Sequence, residues 1–238
     1  MADHQHPAGL FITGTDTGVG KTFIAALIAR ALVAAGVRVG VYKPAMSGGV
    51  PGENDAEILW NAAGRPGELA HVCPQAFAAP LAPHLAARAE GKEIDAALLR
   101  SAVDYWRERC DFVLVEGAGG LMSPLGDDEY VADLAVDLGY PLIVVAANRL
   151  GVINQTLQTL ITAATYGEGL AVAGVVLCDV DPLTAQDPSR ASNLAELRAR
   201  CMPPILAHVH YGAMNISPPV AWNLLDARET IAGDGCLL

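Results

Sequence analysis

Lysine is scarce in this chain. Of its fifteen basic residues only Lys21, Lys43 and Lys92 are lysines, and 26 acidic residues outnumber the basic set, leaving a formal charge of −11 over 238 residues. A chain this short of positive charge is not built to coat a nucleic acid or to lie on an anionic membrane. It can still hold one small anion at a focused site. Charge of either sign is limited, 17% against 52% apolar residues, which excludes a disordered chain. No apolar run approaches the ~18 residues of a membrane span; the longest, residues 170–178, has the length of a buried strand. The five cysteines are odd in number, widely separated and without metal-ligand spacing. They read as free thiols in a reducing compartment, the cytoplasm. Residues 1–7 lack a basic segment followed by an apolar one, so they do not read as a secretory signal.

What is present is an alternation of short β-branched runs with alanine-rich helical stretches. Strands are expected at 10–13, 37–43, 111–116, 141–147, 170–177 and 205–209. Helices are expected at 21–35, 55–63, 94–109, 130–138, 154–166, 188–200 and 220–232, from apolar residues recurring on one face. Gly36 follows the first helix as a C-terminal cap. The Pro/Gly-rich stretches 44–53 and 64–83 read as loops. Continuous apolar strands separated by helices give an α/β class, a mostly parallel sheet covered by helices on both faces. The length suits one domain, 1–238, with residues 1–8 as a disordered tail.

The most informative segment is 14–22, Gly-Thr-Asp-Thr-Gly-Val-Gly-Lys-Thr, which follows a strand and opens a helix. That is the context of a P-loop, the phosphate-binding turn of the P-loop nucleoside triphosphate hydrolase fold. Glycines let backbone N–H groups approach phosphate oxygens, and the helix N-terminus adds partial positive charge. In that turn Lys21 reaches the β- and γ-phosphates and the Thr22 hydroxyl ligates Mg²⁺. Five residues separate Gly14 from Gly20, where the common pattern has four.

A P-loop alone does not fix the reaction; the ends of the other strands have to decide it. Lys43, at the end of the second strand, is either a second cation beside the phosphates or a snorkelling surface lysine. Glu116, directly after the run Val113-Leu114-Val115, is either a second metal ligand or a solvated residue in a glycine turn. Asp55, at a helix start, is either a site carboxylate or a plain N-cap.

Together these segments resemble dethiobiotin synthetases. The matching stretches are 13–22, Tyr42-Lys43-Pro44 with Ser47-Gly48, Asn54-Asp55, 80–84, 115–120 with Pro124-Leu125, and 150–154, in order over about residues 10–180. The resemblance implies ATP, CO₂ and 7,8-diaminononanoate as substrates, and dethiobiotin, ADP and phosphate as products, in biotin biosynthesis. A carbamate and a carbamic-phosphoric anhydride would be intermediates. It also implies roles. Thr22, Asp55 and Glu116 hold Mg²⁺, Lys21 bridges phosphates and carbamate, and Lys43 and Ser47 stabilise the carbamate and the transferring phosphoryl group. Thr17 contacts the reacting end of the substrate. Asp16, Gly18, Val19, Gly20, Lys21, Thr22, Glu116, Gly117, Gly119 and Asp179 bind the nucleotide. Gly151, Val152, Ile153 and Asn154 receive the far carboxylate of the diamine, supplied from the partner subunit of a homodimer; taken alone, Asn154 has an ordinary N-cap as its alternative reading.

Two departures from the family pattern stand out. Cys178-Asp179 replaces the usual Asn-Asp pair, whose amide reads the adenine edge, and a thiol replaces an amide poorly. Residues 206–210, Leu-Ala-His-Val-His, replace the usual Leu-Gly-x-[Ile/Val]-Pro. His208 and His210 alternate along a strand and share a face, where solvated or core histidines are commoner than a metal pair. The alternative function is a partition- or nitrogenase-iron-type dimeric ATPase switch, which gives Lys43-Pro44 no role. A catalytically inactive interaction domain is disfavoured by the joint presence of Lys21, Thr22, Asp55 and Glu116.

Overall fold

Six apolar runs form the strands of one sheet. They are β1 (Ala8–Gly14), β2 (Val39–Tyr42), β5 (Phe112–Gly120), β6 (Leu142–Ala147), β7 (Val172–Cys178) and β8 (Ile205–Val209), in the order β2-β5-β1-β6-β7-β8. Every pairing in it is parallel. The computed structural model describes residues 7–49, 54–182 and 187–226. Parallel strands need crossovers, and helices supply them. These are α1 (Lys21–Ala34), α2 (Asp55–Ala62), α3 (Pro83–Ala89), α4 (Ala96–Ser101), α5 (Asp104–Arg107), α6 (Val131–Leu138), α7 (Val152–Thr165) and α8 (Arg190–Arg200).

The strands are mostly apolar on both faces because both sheet faces are covered. Val144, Ala146, Val175 and Leu177 join Val152 of α7 and Leu197 of α8 in one buried cluster. The alternate residues Val145, Ala147, Val176 and Cys178 belong to the larger cluster that includes Ile24, Leu27 and Ile28 of α1. Side chains two apart share a face, so one strand serves both layers. Among the described residues no helix is long and apolar enough to cross a membrane.

The structure corrects several expectations. The stretches read as loops contain β3 (Ala45–Ser47) and β4 (Gln75–Phe77), which pair with each other in a separate two-stranded parallel sheet. Three residues are too few to show a period. The single helix expected over 94–109 is two short ones: Ala102 and Val103 have ψ near −20°, and the Trp106 N–H bonds the carbonyl of Val103 three residues back. That is the tighter 3₁₀ pattern, and it breaks the α ladder. Ala8 opens β1 and the Gly9 N–H donates to Asp226, so the expected tail does not extend to residue 8; residues 1–6 lie outside the described residues. Of the helix expected over 220–232, the described part holds a single 3₁₀ turn, Trp222–Leu224, anchored by buried Trp222. Residues 227–232 lie outside the described ones.

Candidate active site

β1 runs into the P-loop with no slack. A Cβ on Gly14 would lie 2.7 Å from the Val19 side chain and 2.8 Å from the Asp16 carbonyl. Gly18 and Gly20 have φ of 70° and 96°, and Gly20 is the N-cap of α1. Left-handed backbone of this kind costs glycine little. Val19 is fully buried and pins the loop, and the Lys21 ammonium donates to the Asp16 carbonyl at 2.9 Å. The exposed Asp16 carboxylate accepts from the Thr17 N–H.

The loop opens into a cleft of about 1010 Å³ beyond the C-terminal ends of the strands, where open α/β sheets bind ligands. Thr17, Gly18, Gly20, Lys21, Thr22, Lys43, Ser47, Asp55, Glu116, Gly119 and Asp179 all line it. Gly117 lies behind the wall, buried, its carbonyl 3.4 Å from the Lys43 ammonium.

Four side chains meet at the centre. The Thr22 hydroxyl lies 2.9 Å from Asp55 Oδ1 and 2.9 Å from Glu116 Oε1. The Lys43 ammonium lies 2.5 Å from Glu116 Oε1 and 2.9 Å from Asp55 Oδ2. Lys43 and Glu116 are both buried, so neither the snorkelling lysine nor the solvated glutamate describes this chain. Nor is Asp55 the N-cap. Asn54 caps α2, its side chain accepting from the Glu57 N–H while Glu57 reaches back to the Asn54 N–H. That capping box leaves the Asp55 carboxylate free to face the cleft.

The charges adjust to this crowding. Burial pulls the Lys43 pKa down, but the Glu116 and Asp55 carboxylates outweigh it and hold the ammonium well above its ordinary range. Asp55 is held below the ordinary carboxylate range because Lys43, Thr22 and Lys21 outweigh its desolvation. Lys21 has no such partner. Burial, reinforced by the Lys43 charge, lowers it to about 8.

The donor set suits a hard cation. Thr22, Asp55 and Glu116 offer only oxygen, as Mg²⁺ prefers, and Glu116 Oε2 is buried without a hydrogen-bond partner. A buried carboxylate oxygen left so is costly, and an ion beside it would satisfy it.

At the other end of the cleft, Cys178, Asp179, Val180, Tyr211 and Gly212 form the wall. A Cβ on Gly20 would lie 2.7 Å from Cys178 Sγ, so loop and strand end are in direct contact. Burial, then the Asp179 charge, pushes the Cys178 thiol up to about 12. Asp179 Oδ1 accepts from Asn148 Nδ2 at 2.8 Å and faces His208 Nε2 at 3.0 Å, while Oδ2 faces His210 Nδ1 at 2.8 Å. His208 is half-buried and His210 is exposed to solvent, and a ring nitrogen of each is held against Asp179.

Gly151, Val152, Ile153 and Asn154 do not line the cleft. Gly151, with φ 95°, caps α7, and Asn154 is the exposed third residue of that helix, not its cap. Sequence reasoning missed other wall residues, among them Phe23, Met46, Ser123 and Tyr211. Ser123 follows a strand-end glycine run and its hydroxyl accepts from the Gly120 N–H, a local turn pattern that was legible. Tyr211 carried no signal.

A family model described as an AAA domain matches residues 8–214. The chain is 50% identical to the ATP-dependent dethiobiotin synthetase BioD of Anaeromyxobacter dehalogenans over 79% of this chain and 83% of that protein. It is 42% identical to the protein of the same name from Pseudomonas aeruginosa, over 81% and 86%, and 39% identical to that from Rhodopirellula baltica, over 84% and 82%. Among solved structures it is similar to the signal recognition particle receptor FtsY of Elizabethkingia anophelis in complex with GDP, with TM-score 0.53 and 16% identity over 95% of this chain and 64% of that one. Chloroplast FtsY from Physcomitrella patens gives TM-score 0.51 and 21% identity over 94% and 65%. The chain spans just under two thirds of the length of these two structures, and at such identity the likeness concerns the fold alone.

Proposed function

Because this chain belongs to the ATP-dependent dethiobiotin synthetase family, we propose that it is a cyclo-ligase of biotin biosynthesis, converting 7,8-diaminononanoate, CO₂ and ATP to dethiobiotin, ADP and phosphate. The observation that carries the reading is the meeting of Thr22, Lys43, Asp55 and Glu116 at the mouth of a P-loop. One amine adds to CO₂ to form a carbamate. A carbamate oxygen attacks the γ-phosphorus and the bond to ADP breaks, giving a carbamic-phosphoric anhydride. The second amine attacks the carbonyl carbon, phosphate leaves, and the ureido ring closes.

Two anions must approach each other for that attack, so the site's task is neutralisation and alignment. Thr22, Asp55 and Glu116 would hold Mg²⁺, which supplies positive charge to the phosphates. Lys21 bridges the phosphates and the carbamate. Lys43 exchanges its carboxylate partners for the carbamate and the transferring phosphoryl group, with Ser47 beside it. Thr17 contacts the reacting end of the diamine. The backbone of Asp16, Gly18, Val19 and Gly20, with Gly117, Gly119 and Asp179, bounds the nucleotide. No nucleophilic side chain is required. The alternative of a dimeric ATPase switch gives Lys43 no role, whereas its ammonium is paired with both candidate metal-binding carboxylates, so that alternative is not retained.

The protein works as a homodimer with shared sites, each subunit's 151–154 segment receiving the far carboxylate of the diamine in its partner's cleft. The position of that segment outside its own cleft wall supports this reading. The whole chain, 1–238, acts as one domain. Free thiols at the four described cysteines suit the cytoplasm. The test is ADP release from Mg-ATP and bicarbonate. The expected result is turnover only when 7,8-diaminononanoate is added, with a ureido product. Turnover indifferent to the diamine would overturn the reading.

A further inference from the structure

We propose that Asp179, His208 and His210 form a second metal site, for a late first-row divalent ion such as Zn²⁺, at the base-facing end of the cleft. β8 is an edge strand, paired with β7 so that Leu177 lies opposite His208 and Cys178 opposite Val209. The pairing continues one step further, with the Asp179 N–H donating to the Val209 carbonyl at 2.8 Å. The two histidines are two residues apart, His208 in β8 and His210 one residue past its end, so both side chains leave the same face, their ring centroids 4.5 Å apart, and Asp179 lies across from them. One ligand atom from each of the three residues lies within 4.8 Å of the others.

The donor set is two imidazole nitrogens and one carboxylate oxygen, the kind that binds Zn²⁺ with one position left open. Ligands about 2.0–2.2 Å from a tetrahedral zinc sit roughly 3.3–3.6 Å from one another. His208 Nε2 lies 3.0 Å from Asp179 Oδ1 and His210 Nδ1 2.8 Å from Oδ2, so small shifts bring one donor from each residue to that spacing around one ion. His210 is 65% exposed at its side chain and is free to swing to complete the arrangement. The ion replaces the proton that each imidazole now directs at Asp179: His208 Nε2 and His210 Nδ1 give up that proton, and each ring keeps one proton on its other nitrogen.

The carboxylate is also oriented from behind. Asn148 Nδ2 donates to Asp179 Oδ1 at 2.8 Å, and Asn193 Nδ2 donates to Asn148 Oδ1 at 3.0 Å. Asp179, Asn148 and Asn193 are all buried. Metal ligands commonly depend on such outer hydrogen bonds. Its nitrogen donors set this site apart from the oxygen-only cluster of Thr22, Asp55 and Glu116, and ligand type is what separates Zn²⁺ from Mg²⁺. With Tyr211 and Gly212 next along the chain and in the cleft wall, a bound ion would fasten the end of β8 to the end of β7 beside the nucleotide.

The experiment titrates the full chain with Co²⁺ in excess Mg²⁺, which keeps the oxygen-only cluster filled. The expected result is one equivalent of Co²⁺ with the intense visible absorption of a tetrahedral site, displaced by Zn²⁺. The near-ultraviolet charge-transfer band of a cysteine ligand should be missing. His210→Ala changes an exposed side chain and should weaken binding at least tenfold, and His208→Ala should do the same; circular dichroism confirms that each variant is folded. Absence of binding to the unaltered chain would show that the three residues are a hydrogen-bonded anchor only. Binding undiminished in both variants would place the ion elsewhere. Either result overturns the proposal, and neither bears on the synthetase reading, which the diamine-dependent assay tests.

Discussion

Thr22 has one hydroxyl proton and two carboxylate neighbours at 2.9 Å, so it donates to one at a time. Lys43 is what keeps two carboxylates tolerable there. Lys43→Ala removes the cation and leaves Glu116 buried beside Asp55, at a cost of about 3–5 kcal/mol for breaking a buried pair. The variant should unfold at lower urea and lose on the order of 10²–10³ in kcat, the scale of one lost transition-state donor. Steady-state kinetics beside a urea titration separates the two effects. A folded variant with unchanged kcat would remove Lys43 from the mechanism. Lys21 gives a prediction with a definite sign. Its pKa is lowered to about 8 from 10.5, so between those values the unfolded chain binds more protons, and this group's penalty on stability is relieved as pH rises. Triphosphate beside Lys21 restores the charged form. ATP binding above pH 8 should therefore take up protons and weaken with rising pH, which calorimetry in buffers of different ionisation heat would register.

Element by element, what the sequence made readable follows from length and period. The six sheet strands were legible because each is an apolar run closed by a turn signal. β3 and β4 were not, since three residues carry no period, and α3 was hidden inside an Ala/Pro-rich run. The P-loop, Lys43, Asp55 and Glu116 were legible as residues standing at strand or helix ends. The lock of Lys43 onto both carboxylates was not, because it joins positions 73 and 12 residues apart. The Asp179 network was hidden for the same reason, spanning Asn148 to His210. Packing of the last two strands also depends on a glycine that sequence alone did not single out. A Cβ on Gly174 would lie 2.5 Å from Leu206 Cγ and 3.0 Å from the Pro204 carbonyl. Gly174→Ala should destabilise by about 1–3 kcal/mol through overpacking, read as a lower urea midpoint. An unchanged midpoint would mean that the β7–β8 seam has slack.

For the whole molecule, the −11 charge is offset locally by two of the three lysines, Lys21 and Lys43, lining the cleft. The proposed shared-site dimer has a direct complementation test. Lys43→Ala is inactive in its own cleft, while Asn154→Asp, at an exposed position, sets like charge against the diamine carboxylate and fails only its partner. Mixed after denaturation and refolding, the two should regain up to about a quarter of full activity, since half the dimers are mixed and each carries one intact site. No recovery would mean that each subunit uses its own segment.

The division between the two sheets has a consequence in time. Glu116 and Thr22 stand on β5 and at the start of α1, where the large sheet is most deeply buried. Ser47, by contrast, belongs to a pair of three-residue strands bonded to each other, and a two-stranded pairing is marginal by itself. Amide protons of Met46 and Phe77 should therefore exchange with deuterium long before those of Val113 and Leu114. The cleft would then open first beside Ser47 while the end held by Thr22 and Glu116 stays shut.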